Sequence, residues 1–185
     1  MENIISRTTQ MISSLLKDDE IVEMSIIYDI SKDSRFNFWC YQNQKVNFEL
    51  RETCYSIYNY VLNQQNFDIN YKLDYRIRIS ENEVAYRKSI FRKGMQLHRD
   101  NDFPAIEAKS GIKYWYNEGK LHRDNAEKDL PAVVHPDGYQ RYYRNNLWDR
   151  LHGPATEFKN GDKLFAINGK LLKESEYKIR SKYVK

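Results

Sequence analysis

The stretch that decides the fold is Leu97-His98-Arg99-Asp100 … Pro104-Ala105 … Gly111 … Tyr114-Trp115-Tyr116 … Gly119. It returns as Leu121-His122-Arg123-Asp124 … Pro131-Ala132 … Gly138 … Tyr142-Tyr143 … Asn146. A third statement runs Leu151-His152-Gly153-Pro154-Ala155 … Gly161 … Phe165 … Gly169. Pro-Ala recurs at 104, 131 and 154 and the turn glycine at 111, 138 and 161, so both series step by 27 and then 23 residues. Recurrence at this period marks one supersecondary unit stacked on itself.

Each unit reads as a β-hairpin. Pro-Ala opens a strand, a place where proline is tolerated. Lys109-Ser110-Gly111, Pro136-Asp137-Gly138 and Lys159-Asn160-Gly161 supply the first turn. Asn117-Glu118-Gly119, Asn145-Asn146 and Asn168-Gly169 supply a second. Asp-Gly and Asn-Gly pairs are strong hairpin signals. The expectation is a long antiparallel meander over residues 81–170. Alignment on the turn glycines places Trp115, Tyr142 and Phe165 in one aromatic stripe, with Tyr116, Tyr143 and Ala166 on the opposite face. A single-layer sheet has no second sheet to pack on, so large side chains must supply its core. The chain has 15 Tyr.

The phrase Leu-His-Arg-Asp … Pro-Ala … Gly … Trp-Tyr … Gly resembles the MORN-like repeat proteins of phages, large DNA viruses and bacteria, whose pattern is NGxLHRxDGPAxxxxxGxxxWYxNGxLHR. The resemblance covers roughly residues 88–172. Copy one departs from it at Asp102-Phe103, copy two carries the insert Ala126-Glu127-Lys128-Asp129, and copy three has Arg150 before His152 with no Asp after it. The resemblance implies scaffolding, lipid-adjacent or protein-binding roles and no catalytic chemistry.

Upstream, residues 2–17 read as an amphipathic helix with Ile4, Ile5, Met11, Ile12, Leu15 and Leu16 on one face. Residues 20–30 read as a strand, Ser31 to Ser34 as a turn, and Arg35 to Cys40 as the partner strand, with Phe36, Phe38 and Cys40 facing one way. A second helix is expected over 44–63, its seam made by Val46, Leu50, Cys54, Ile57 and Val61. Residues 69–79 alternate, with Ile69, Tyr71, Leu73, Tyr75, Ile77 and Ile79 on the buried face. Val84 to Arg92 forms the next strand. The N-terminal part, residues 1–80, is thus an α-β-β-α-β unit that continues into the repeats. Residues 171–185 form a short helix that caps the last hairpin and covers its open edge. The fold class is α+β.

Formal net charge is +4. Residues 1–80 carry 9 Lys+Arg against 11 Asp+Glu, so the remainder holds a surplus of six positive charges. That is mild for a dedicated nucleic-acid binder. Cys40 and Cys54 sit on different elements; Cys54 lies in a helix seam and reads as a buried structural thiol. Two thiols and no secretory signal or membrane span point to a soluble protein of a reducing cytoplasm.

All four histidines, His98, His122, His135 and His152, lie in the repeat half, and three recur at what align as equivalent turns. A residue demanded once per repeat is structural, and no Cys or Glu recurs with them to complete a metal set. No metal and no cofactor is expected. His-Arg-Asp reads as a turn staple, with Arg able to bridge to the next hairpin. Alternatively, Arg99, Arg123 and Arg150 form a cationic edge able to hold phosphates or an acidic partner. Phosphate loops, nucleophile elbows and zinc-helix motifs are absent. The expected function is a non-enzymatic protein-binding module, a phage-type inhibitor that occludes a host enzyme or defence system. An immunity-type protein neutralising a toxin stands close behind. The expected anchors are Trp115, Tyr142, Trp148, Arg99, Arg123, Arg144 and Arg150, since aromatic and Arg side chains dominate binding hot spots. The other class is a nucleic-acid binder using cation-flanked aromatics of the repeats, such as Arg141-Tyr142-Tyr143-Arg144. A membrane partner is not expected, because the polybasic cluster it needs is missing.

Overall fold

The computed structural model describes residues 2–17, 19–29, 32–42, 44–63, 73–90, 92–125 and 128–183. For residues 2–4, 26–29, 32–37, 61–63, 73–75, 124–125 and 128 it describes the backbone alone. The expected core positions Ile4, Phe36, Val61, Ile69, Tyr71, Leu73 and Tyr75 therefore lie outside the described side chains. The chain is α+β and forms two compact units, Met1–Met95 and Gln96–Lys185.

The first unit runs α1 (Glu2–Leu15), β1 (Glu20–Asp29), β2 (Lys32–Gln42), β3 (Lys45–Val46), α2 (Phe48–Asn63), β4 (Leu73–Ser80) and β5 (Glu83–Ile90). The strands pair antiparallel in the order β3-β2-β1-β4-β5. Strict alternation gives the sheet two unlike faces. Val22, Met24, Phe38, Cys40, Ile77, Ile79, Val84 and Tyr86 lie in one core with Ile5 and Ile12 of α1 and Cys54 and Ile57 of α2. Both helices cover this one face. Tyr86 is fully buried among them, and its hydroxyl meets that of Thr9 at 3.1 Å, so the phenol is paired where water cannot reach it. Cys40 and Cys54 are buried thiols with sulfurs 3.8 Å apart. The contact with Cys40, and after it burial, push the Cys54 thiol pKa up, which fits a structural role.

Three sequence expectations for this unit change. Leu15 is 53% exposed and Leu16 lies just beyond the helix end, so the buried apolar stripe of α1 ends at Ile12. Asp29 pairs with Lys32, so residues 32–34 belong to β2 and not to a turn. The second helix starts at Phe48, not Gln44. Asn47 caps it: its carboxamide oxygen accepts the Leu50 N–H at 3.0 Å. Val46 is consequently outside the seam, exposed on β3, where it pairs with Tyr41.

β6 (Gly94–Leu97) leads into the second unit. Copy one then contains β7 (Ile106–Ala108), β8 (Lys113–Tyr114), β9 (Tyr116–Asn117) and β10 (Lys120–Leu121). The insert forms a small ladder of β11 (Asp124–Asn125) with β12 (Lys128–Asp129). Copy two contains β13 (Val133–Val134), β14 (Gln140–Arg141), β15 (Tyr143–Arg144) and β16 (Leu147–Trp148). Copy three contains β17 (Thr156–Glu157), β18 (Lys163–Ile167) and β19 (Lys170–Leu172), and α3 (Glu174–Arg180) follows.

The meander forms in two rows rather than one. In the first row β7-β8-β13-β14-β17-β18 pair in succession. The second row consists of the separate hairpins β9 with β10 and β15 with β16, and of β19 paired with the far end of β18, a strand long enough to serve both rows. The aromatic strand changes partner at Trp115 and again at Tyr142. Trp115 donates its N–H to the Ala132 carbonyl in row one and accepts the His122 N–H in row two. Tyr142 does the same with Ala155 and Asp149.

Turn chemistry explains the alternation. Row-one loops have three residues and end in a left-handed glycine; Gly111 (φ +84) donates to the Ala108 carbonyl at 2.8 Å. A Cβ on Gly111 would also lie 3.2 Å from the Pro136 side chain. Row-two loops have two residues, both at positive φ: Glu118-Gly119, Asn145-Asn146 and Asn168-Gly169. Such pairs match the twist of a tight hairpin. A terminal helix packs on the last copy, but it spans Glu174–Arg180 rather than 171–185, since Leu171 and Leu172 belong to β19. Tyr177 is buried, its ring lies 4.9 Å from that of Phe165, and its hydroxyl donates to the Arg150 carbonyl while accepting the Gly153 N–H. No helix among the described residues is long and apolar enough to cross a membrane.

Candidate functional site

The polar residues of the repeated phrase are spent on the backbone of the array. His98 Nδ1 accepts the N–H of Glu118 at 3.3 Å, and His122 Nδ1 accepts that of Asn145 at 3.2 Å. Both donors are the first left-handed residue of a row-two turn. In copy three the same donor is Asn168, and its acceptor is not His152 but Asp149, at 3.2 Å. The three equivalent triplets are therefore Leu97-His98-Arg99, Leu121-His122-Arg123 and Trp148-Asp149-Arg150. Each also receives a turn N–H on the carbonyl of its first residue: Gly119 to Leu97, Asn146 to Leu121 and Gly169 to Trp148. His152 instead bonds Asp129 through its backbone N–H and Nδ1, at 2.8 and 2.9 Å. The expectation of three equivalent histidines is corrected accordingly.

This gives a direct test. Asp149 is almost wholly buried, and its second oxygen faces Arg144 Nε at 3.5 Å. Asp149→Ala removes the acceptor of the Asn168 N–H and the carboxylate facing Arg144, and should cost about 1–2 kcal/mol. Asp149→His restores the acceptor that copies one and two use, and should recover most of that loss. Urea unfolding of the two variants makes the comparison; equal losses would show that the position is not a turn acceptor.

The arginines form an internal ladder. Arg99, Arg123 and Arg150 each turn Nη1 toward the carbonyl of the repeat proline, Pro104, Pro131 and Pro154, at 3.2, 3.5 and 3.1 Å. Arg123 stacks on Trp115 with its guanidinium carbon 3.9 Å from the ring centroid, and Arg150 on Tyr142 at 3.8 Å. Arg123 also grips Asp102 of the preceding copy with two bonds, at 2.7 and 2.8 Å. Arg99 lies over Phe103 and pairs with Glu107 at 3.4 Å, its side chain only 1% exposed. Trp115 and Tyr142 are buried beneath their arginines. The open cationic edge expected of Arg99, Arg123 and Arg150 does not form, because each guanidinium is needed to bond a proline carbonyl and cover an aromatic ring. Arg144 is partly buried against Asp149.

The second row carries an apolar ladder at the surface of the array, apart from the exposed Phe103, Leu147 and Phe158. Tyr116 opposes Leu121, Tyr143 opposes Trp148, and Ala166 opposes Leu171. The Tyr143 and Trp148 rings are 4.4 Å apart. Tyr116, Leu121, Tyr143 and Trp148 are half-buried, and Leu171 is 60% exposed. Of the expected anchors, only Trp148 belongs to this ladder. The signal for it lies in the spacing: Leu121 and Trp148 each stand two residues after a row-two turn.

Clefts open on the repeat unit among the described residues. One of about 300 Å³ lies among His98, Asp100, Asp102, Phe103, Tyr116 and Arg123. His98 Nδ1 is occupied by a backbone amide, so Nε2 carries the proton and donates it to Asp100 at 2.9 Å. No Ser, Thr or Cys lines this cleft. Another, about 370 Å³, is bounded by Tyr139, Tyr142, Arg150, Thr156, Phe158 and Lys159. Among the described residues no three His, Cys, Asp or Glu side chains gather to hold a metal ion. Comparison of the chain with protein-family models, curated proteins and solved structures finds no match in any of the three.

Proposed function

We propose that the chain is a non-enzymatic protein-binding module whose repeats present the second-row apolar ladder to a partner. The observation that supports it is the division of labour within each copy. The residues able to do chemistry are bonded to backbone, while Tyr116, Leu121, Tyr143, Trp148 and Leu171 remain partly open on successive hairpins. Tyr and Trp are the side chains enriched at the anchors of protein interfaces, and the ladder holds three of them. In line with the MORN-like resemblance, the proposed mode of action is occlusion of a partner enzyme, as in a phage-type inhibitor. Toxin neutralisation would use the same face. The test is co-purification at physiological salt followed by native mass spectrometry. A stoichiometric protein partner is expected that is lost in Trp148→Asp and Leu171→Asp while the urea midpoint holds. A partner retained by both variants overturns the assignment of the ladder.

A further inference from the structure

The helices of the first unit cover one face of its sheet. The other face carries Ile21, Glu23 and Ser25 of β1, Trp39 and Tyr41 of β2, Arg76 and Arg78 of β4, and Ala85 and Arg87 of β5. The register sets them in rows. Trp39, Glu23, Arg78 and Ala85 lie side by side across four strands, and Ser25, Arg76 and Arg87 lie side by side in the next row. Trp39 is 41% exposed, Arg76 is exposed, and Tyr41, Arg78 and Arg87 are half-buried.

Two features of this face are unfavourable for the chain alone. Arg76 and Arg87 are direct cross-strand partners, and like charges directly opposite one another destabilise a sheet. Arg78 follows two positions along β4, about 6.7 Å away. None of the three arginines has an ion-pair partner among the described side chains. An indole also stands in solvent on the same rows. An anion lying across β4 and β5 removes the repulsion, and a flat ring stacked on Trp39 buries the indole.

We propose that this face binds single-stranded nucleic acid, with Arg76, Arg78 and Arg87 on phosphates and Trp39, flanked by Tyr41, as the base-stacking platform. Cationic tracks beside exposed aromatic rings are how sequence-tolerant single-strand binders work. A protein partner is the weaker fit, because three clustered arginines beside an exposed indole suit a row of phosphates and a stacked base. Glu23 lies between Trp39 and Arg78 and opposes a phosphate chain, so it limits affinity. The site is separate from the repeat ladder and stands whether or not that ladder binds protein.

The test is fluorescence anisotropy with labelled dT20 and rU20 and the full chain at low salt. Binding is expected, with a log–log salt slope of about −2 for three phosphates. Trp39→Ala should weaken it about 10-fold and Arg76→Ala/Arg87→Ala at least as much, while Glu23→Gln should tighten it. The relative affinity of the two strands separates a DNA site from an RNA site. The double arginine variant should also unfold at equal or higher urea than the wild type, because a like-charge pair has been removed. Absence of binding at 50 mM salt overturns the proposal. So does binding that all of these variants leave intact, or equal competition by polyglutamate, which would mark the face as one for acidic protein.

Discussion

Ala132→Leu is expected to destabilise the repeat half by about 3 kcal/mol or more, the upper end for overpacking a core. Ala105, Ala132 and Ala155 are each fully buried. They sit where each copy is tightest. The proline before them gives its carbonyl to an arginine, and the carbonyls of Ala132 and Ala155 accept the Trp115 and Tyr142 N–H at 2.8 and 2.9 Å. A larger side chain cannot be housed by rotating, because the backbone on both sides is fixed by those bonds. The strand must move, and the partner exchange at Trp115 moves with it. Urea denaturation followed by far-UV circular dichroism measures the loss. A change below about 1 kcal/mol would mean the site yields, against the tight packing of this row.

Arg123→Ala should cost about 2–3 kcal/mol, from three contributions that differ in weight. Stacking on a buried indole is worth up to about 2 kcal/mol when desolvated. The two-pronged bond to Asp102 is worth less than its short distances suggest, about 0.2–1 kcal/mol, because Asp102 is half-exposed and screened. The bond to Pro131, at 3.5 Å, adds little. Arg123→Lys keeps the charge but loses the planar fork, and should recover less than half of the loss. Asp102→Asn should cost under 1 kcal/mol. If Asp102→Asn matched Arg123→Ala, the ion pair rather than the stack would hold the copies together.

Periodicity and turn residues made the repeats legible. The glycines at 111, 138 and 161 and the Asn-rich pairs at 145–146 and 168–169 dictate loop types, and loop types dictate hairpins. The core face of β2 at Phe38 and Cys40 and that of β4 at Ile77 and Ile79 follow from alternation alone. Helix ends were harder, because Val46 continues an apolar spacing that the Asn47 cap interrupts. The fate of the third copy was hidden by its own letters. His152 stands where a motif alignment wants a histidine, yet the structural need is only for an acceptor beside the turn, which Asp149 meets. Trp115 and Tyr142 hold equivalent places in their copies, and what the spacing does not reveal is their depth: both are covered by arginines from the following triplets.

The sequence by itself determined the repeat, its period, its turns and the alternating faces of the first sheet, since these follow from local backbone preference and side-chain periodicity. Only the tertiary structure decided which polar groups are consumed and which side chains stay open. Arg123 and Trp115 are eight residues apart, and Arg123 and Asp102 are 21 apart. Their meeting depends on how one hairpin stacks on the next. That stacking hides the arginine ladder. In the first unit, cross-strand pairing likewise sets Arg76 against Arg87 in the row beside Trp39.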